Sequence, residues 1–430
     1  MTDARTIPAD SLSAQRLAEQ GLTYRLINNA SAADIDGFQR ADARGFADDD
    51  PTSAELGEIR PHLAERRNVG VFDDAADADA WPIATLNSWV TPLTVPGGEL
   101  PMWAISSVTV AGTHRRRGIA RNLLEGELRA AASAGVAVAG LTASEATIYR
   151  RYGFAPAIPV AQFTIDTRRA GWAAESPTGR VEYIDRPALA AELDAVHGAV
   201  RGQRAGQIDG WPLRWQRMAG LLTGQSKAAA TRGVRWIDDD GRTQGVMAYH
   251  LAEAEGTFRF EMRVGHLAAA TPEALRALWH FALHHDLVDK VSVDLRPVDD
   301  PLPWLVSDPR AVTLTMHDHG WLRILDLPTV LGARTYSAPL DMVLRVTDSL
   351  GFAEGTWRIS IGTNGKASVA QSADAADVTL SIVELSALYV GGAHARTLAA
   401  AGRIEGDAER VAELDEAFRT AEAPLLGIWY

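Results

Sequence analysis

The residues with the clearest chemistry lie between Val108 and Leu124, in the run VTVAGTHRRRGIARNLL. An apolar strand ends at Val110, a polar loop carries Arg115, Arg116, Arg117 and Gly118, and the pattern predicts an amphipathic helix from Ile119. A strand feeding a basic, Gly-containing loop at a helix start makes an anion site. The orphan amides of the first turn point at the ligand, and the helix dipole favours negative charge there. The Arg115–Arg121 loop is therefore a phosphate seat, with Arg116, Arg117 and the amides of Gly118, Ile119 and Ala120 foremost, because charge-assisted bonds are short and strong. Val108, Thr109 and Val110 offer backbone groups to an extended ligand in the way a sheet edge accepts an added strand. The bland alternative is a basic surface turn ahead of an ordinary helix.

A second motif follows in VAVAGLTASEATIYRRYGFAPA, Val136 to Ala157. It predicts a buried strand to Thr142, a helix start at Ser144-Glu145, a short helix to Tyr152 and a turn at Gly153 into another strand. Tyr149 is the candidate general acid, since a phenol near pKa 10 is protonated at neutral pH and can donate to a leaving group. Tyr152 lies one helical turn on and position alone leaves it open, as it leaves open a core role for either ring. The only histidine within these motifs is His114, in the basic loop.

Arg115-x-x-Gly118-x-Ala120 fits the Arg/Gln-x-x-Gly-x-Gly/Ala signature with which GNAT-type acetyltransferases hold the pyrophosphate of acetyl-CoA. Together, VTVAGTHRRRG and TASEATIYRRYGF resemble the Eis family of N-acetyltransferases, with matching spacing from about Val108 to Phe154 and a weaker likeness reaching the C-terminus. The resemblance implies acetyl-CoA as cosubstrate, direct attack of an amine on its thioester, and aminoglycosides or similar polyamines as acceptors. It implies that Ser144 and Glu145 line the acetyl-CoA site, where the plainer role is a helix cap. The family's Tyr-x-x-Tyr/Phe-Gly-Tyr/Phe pattern favours Tyr149 over Tyr152. It also implies that the C-terminal α-carboxylate, here on Tyr430, serves as base, together with a homohexameric assembly. The ending PLLGIWY is apolar and aromatic, which predicts burial of the terminus and by itself says nothing of catalysis. Two rivals remain open at this point: protein lysine Nε-acetylation, and a lipid- or acyl-CoA-binding protein with an inert GNAT part.

Composition sets the bounds. A chain of 430 residues predicts two or three domains. The net charge of −13, from 42 Lys and Arg against 55 Asp and Glu, argues against nucleic acid as the main partner. No apolar run approaches the roughly 20 residues that span a bilayer, so no membrane partner is expected. The N-terminus lacks the apolar core of a signal peptide, which predicts a cytoplasmic protein or one secreted without such a peptide. With no cysteine there is no disulfide, no thiolate metal site and no cysteinyl acyl-enzyme. His284-His285-Asp286 and His317-Asp318-His319 lack matching ligands, and no metal is expected. Asp48–Asp50 reads as a solvated loop, or as an attractor for a polycation.

The elements predict an α/β (α+β) chain in three parts. Residues 1–165 form a GNAT domain, with a strand at Leu22–Ile27, a helix at Ala32–Phe46 capped by Asn29 or Ser31, and antiparallel strands Trp81–Val90 and Met102–Val110 linked through Pro96-Gly97-Gly98. The first twenty residues read as a loosely packed extension. Residues 166–320 carry helices at Pro187–Val200 and Pro272–His285 and strands near Thr231–Tyr249, Gly256–Ala268 and Lys290–Leu295, with a hairpin turn at Asp238–Gly241. The stretch VGHLAAATPEALRALWHFAL has no basic Gly loop after its strand, and the resemblance implies a degenerate GNAT-like domain there. Residues 321–430 show strands at Met342–Val346, Gly355–Thr363, Ala367–Ala370 and Val378–Ser381, then helices at Ile382–Val390, Ala393–Ala401 and Ala408–Arg419. This order is similar to the sterol-carrier-like C-terminal domain of the family.

Overall fold

The computed structural model describes residues 2–77, 79–254, 256 and 258–430. The chain packs as two compact units: Met1–Ala157 with Gly320–Thr420 and Tyr430, and Ile158–His319 with Ala421–Trp429.

In the first unit, β1 (Leu22–Leu26), β2 (Arg67–Asp73), β3 (Ala84–Val95) and β4 (Gly98–Val110) pair antiparallel in sequence order. β3 and β4 meet through the two-residue turn Pro96-Gly97, where Gly97 holds φ 77°. β5 (Val138–Thr142) lies parallel to β4, and Gly320–Ile324 pairs antiparallel with β5. Helices α1 (Ser11–Ala18), α2 (Ala32–Phe46), α3 (Ser53–Ala64) and α4 (Ile119–Ser133) accompany this sheet. A parallel pair needs a crossover, and α4 supplies it between β4 and β5. Ile119, Leu123, Leu124 and Leu128 give α4 its buried face.

Two expectations are corrected here, and two elements are added. The first twenty residues are packed: Asp10 caps α1 and bonds Arg129 of α4 at 2.8 Å, Leu17 is buried, and Gly126 lets α1 come close, since a Cβ there would meet Ser13 Oγ and the Tyr24 hydroxyl at 2.9 Å. Trp81 lies outside β3, which runs on instead to Val95. The acidic loop is followed by α3 and β2, elements not read from the sequence, although the Thr52–Glu55 capping box that starts α3 was there to be seen.

The second unit orders β6 (Ala155–Asp166, from Ile158), β7 (Arg180–Ile184), β8 (Arg232–Ile237), β9 (Thr243–Ala254), β10 (Arg259–Ala269) and β11 (Val288–Arg296) as β6-β11-β10-β9-β8-β7. Only β10 and β11 among these pairs are parallel, joined across helix Pro272–Leu283. Thr257, inside the expected strand Gly256–Ala268, lies outside the described residues. β12 (Val312–Ile324) returns the chain to the first unit at Gly320. There, β13 (Leu340–Thr347), β14 (Gly355–Ile361), β15 (Ala367–Gln371), β16 (Val378–Ser381) and β17 (Ile404–Gly406) form a five-stranded sheet ordered β15-β14-β13-β16-β17. Helices Ile382–Leu388, Ala395–Ala400 and Ala408–Phe418 follow as expected.

Candidate active site

The site begins where two strands part. Parallel pairing of β4 with β5 runs from Met102↔Val138 to Ile105↔Leu141 and stops, while β4 continues to Val110. A bulge opposite Thr85–Asn87, with Ser107 at φ 55°, bends β4 at that point. Ser106–Val110 therefore has β3 on one side and an open edge on the other. A cleft of about 890 Å³ opens beside it.

The expected cofactor residues gather there with one exception. Val108, Thr109, Val110, Arg115, Arg116, Gly118, Ile119, Ala120, Arg121, Ser144 and Glu145 all line the cleft. Arg116 at φ 63° and Gly118 at φ 74° set the turn that leads from β4 into α4. Gly118 is the N-cap and gives no side-chain cap, so the first-turn donors stay free for an anion. The side chains of Arg115 and Arg116 have no ion pair or hydrogen bond among the described residues. Arg121 is tied to Glu125 at 2.6 Å. Arg117 is the exception: its guanidinium donates to the Gln20 carbonyl at 3.1 Å, away from the cleft. Glu145 occupies the N-cap position of helix Ala146–Tyr149 without making a cap bond, so the plain capping role does not account for it.

Tyr149 and Tyr152 both line the cleft and both are buried. Tyr149 packs edge-on against Phe154 at 6.2 Å and tilted against Trp321 at 6.3 Å. Burial, helped by the nearby Glu145 and Tyr152, pushes its phenol up to about 12, so it carries its proton throughout the neutral range. Burial also raises Tyr152. Gly153 is required at the end of this segment: it sits at φ 88°, and a Cβ there would meet Arg323 Nε at 2.5 Å. Arg323 donates to the Tyr152 carbonyl at 2.9 Å and forms a fully buried pair with Asp348 at 2.7 Å.

Tyr430 is not among the residues lining the cleft. The Thr142 hydroxyl donates to its main-chain oxygen, and its ring meets Trp89 edge-on at 5.5 Å. Burial raises its phenol strongly. Residue 430 is thus anchored at the last residue of β5, the strand from which the open edge of β4 diverges.

Sequence reasoning missed several parts. Gly45 and Phe46 at the end of α2 line the cleft, as do Ser349 and Leu350 from the turn after β13. That turn is organised by the Asp348 carboxylate, which accepts from the amides of Leu350 and Ala353 at 3.1 and 2.9 Å; nothing local in the sequence indicates that it lies near Tyr152. Asp42 of α2 is bonded to Ser107 in the bulge, and desolvation pushes its carboxyl up to about 7. Beneath α4, Glu127 accepts from Arg67 at 3.0 Å, Ser88 at 2.7 Å and Trp103 at 3.2 Å in a fully enclosed network. Asp50 of the acidic run pairs with Arg40 and is exposed, as a solvated loop would be.

Comparison with known proteins agrees with this geometry. Models of a GNAT acetyltransferase domain match residues 26–157 and 206–324, and a sterol carrier protein domain matches 327–427. An N-acetyltransferase of Streptomyces griseus is 33% identical over 419 residues, 94% of this chain and 98% of its own length. N-acetyltransferase Eis of Mycobacterium tuberculosis is 34% identical over 340 residues, 76% of this chain and 80% of its own. The crystal structure of Eis1 from Mycobacterium abscessus superposes with a TM-score of 0.80 at 29% identity, covering 95% of this chain and all of that one. The acyl-CoA chemistry of GNAT domains thus meets a cleft with an open strand edge and two unpaired arginines at a helix start, and the chain belongs to the Eis family of N-acetyltransferases.

Proposed function

We propose that the protein transfers the acetyl group of acetyl-CoA to amines of aminoglycosides or similar polyamines. The observation that carries this reading is the pairing of a strand edge without a neighbouring strand at Ser106–Val110 with the unpaired Arg115 and Arg116. The edge fits the pantetheine amides, and the arginines with the α4 amides fit the pyrophosphate. In the reaction the amine nitrogen attacks the thioester carbonyl, the C–S bond breaks, and the departing thiolate takes the Tyr149 phenol proton. The main-chain carboxyl at Tyr430 receives the proton lost by the amine. A free α-carboxyl near pKa 3.3–3.7 is a weak base at neutral pH, and such a group serves as base only where burial raises it. Thr142, the last residue of β5, holds the main-chain oxygen of residue 430 in place.

The direct test is thiol release from acetyl-CoA with kanamycin, with a lysine peptide, or with neither. Release with kanamycin alone supports the polyamine reading. Release with the peptide alone replaces it by protein lysine acetylation, and no release with either acceptor removes both. Extending the chain by two glycines after Tyr430 tests the base: turnover should collapse with the fold intact, and equal turnover would remove Tyr430 from the mechanism.

A further inference from the structure

The bulge that bends β4 is held by side chains from outside the strand. Thr109 pairs with Thr85 and Ser106 with Asn87, so β4 carries one residue more than β3 between those pairs. Ser107 takes up the difference at φ 55°, a left-handed conformation that is costly for a residue with a side chain. Three side chains converge on it. Thr85 donates to its carbonyl at 2.8 Å, and Asn87 donates to its hydroxyl at 3.1 Å. The hydroxyl in turn donates to the Asp42 carboxylate of α2.

The third contact depends on a close approach of α2. Gly45, one turn beyond Asp42, permits it, since a Cβ there would collide with the Thr109 side chain. Asp42 Oδ1 is buried and has no hydrogen-bond partner. An asparagine could accept from Ser107 without burying a charge, so packing alone does not account for a carboxyl at this position. Burial pushes that carboxyl up to about 7, with Ser107 drawing it down and Asp48 adding to the rise. The residues of β3 and β4 around it, Thr85, Asn87 and Thr109, carry no charge. On α2 and α3 the charges are engaged elsewhere: Asp36 with Arg60 at 2.9 Å, Arg40 with Asp50, and Arg44 on the Pro82 carbonyl at 2.8 Å.

We propose that Asp42, with Asn87 and Thr85, positions the open edge of β4 for acetyl transfer by holding Ser107 in its bend. These are positioning residues, acting through Ser107 and not on the substrates. The inference rests on the reading that Ser106–Val110 receives the acetyl-bearing arm of acetyl-CoA. An ionised carboxylate accepts the Ser107 hydroxyl more strongly than a neutral acid or amide does, so the hold tightens as pH rises through about 7.

Comparison of Asp42→Asn with the native chain between pH 6 and pH 8 tests it. The ratio of native to variant should be near one at pH 6 and rise about five- to tenfold by pH 8. It is read both in turnover, with the acceptor that releases thiol, and in acetyl-CoA affinity by calorimetry. Titration of the acceptor amine and of the base is common to both proteins and cancels in the ratio. Loss of the buried charge should stabilise Asp42→Asn at pH 8, so a weakened fold would not explain lower turnover there. Ser107→Gly removes the hydroxyl and takes the bend unaided, so adding Asp42→Asn to it should produce no pH step. A ratio that stays flat from pH 6 to pH 8, or a step that survives in Ser107→Gly, overturns the proposal. If no acceptor releases thiol, the acetyl-transfer reading fails, and the affinity ratio still decides whether Asp42 holds the edge.

Discussion

The loop after β4 and the loop after β10 answer the same architectural problem with different residues. In both, two parallel strands part beyond a bulge and a helix of at least twelve residues begins just downstream. After β4 the helix starts from Arg115-Arg116-Arg117-Gly118, with a left-handed glycine as N-cap and no side chain on the first amides. After β10 it starts from Thr271-Pro272, where the threonine hydroxyl accepts from the Ala274 amide and proline removes a donor. The slot belongs to the fold; the anion site belongs to the loop. A self-capped helix start has used up the donors that an uncapped one offers to phosphate.

The largest expected effect concerns the chemistry proposed for the first unit. Under the proposed mechanism Tyr149→Phe removes the proton donor and keeps the ring, so turnover should fall by about 10²–10⁴-fold with little change in acetyl-CoA affinity. Steady-state kinetics beside Tyr152→Phe checks this. If Tyr152→Phe shows the loss and Tyr149→Phe does not, the roles are exchanged.

The helices behind the two loops differ as well. Helix Pro272–Leu283 buries alanines, leucines and a tryptophan, whereas α4 buries Glu127 against Arg67. Glu127→Gln leaves the Arg67 guanidinium enclosed without its counter-ion and should cost about 3–5 kcal/mol of stability. Urea unfolding of the first unit measures it, and a cost below about 1 kcal/mol would show that Arg67 finds other partners.

Much of this contrast was legible in the sequence because it is local. The α2 and α4 boundaries, the Pro96-Gly97 turn and the cleft-lining loop follow from caps, periodicity and turn residues that act within a few positions. Arg117 stands apart from the cleft because its partner, the Gln20 carbonyl, lies in the N-terminal segment that reads as an extension. Leu350 and Asp348 were invisible for the same reason: their role comes from Arg323 and Tyr152, far away in the chain. Asp42 looks like an ordinary helix residue until packing places it on the β4 bulge.

Asp42 also gives the smallest predicted effect. Its carboxyl is raised above the ordinary value by desolvation, so on its account stability is fully present below about pH 4 and is lost as pH rises through about 7. Asp42→Asn should remove that loss, raising stability at pH 8 relative to pH 5 by roughly 1–3 kcal/mol against the native chain. Urea midpoints at the two pH values check the sign. An equal shift at both would mean that Asp42 does not titrate in this range.

The central claim is that the loop at Arg115–Ala120 turns a common strand slot into a coenzyme A site. Calorimetric titration of coenzyme A into the native chain and into Arg116→Ala measures it directly. We predict one tight site per chain, weakened by roughly 1.5–3 kcal/mol in folded Arg116→Ala through loss of a charge-assisted bond. An unchanged affinity in that variant, or two equally tight sites in the native chain, would contradict the account.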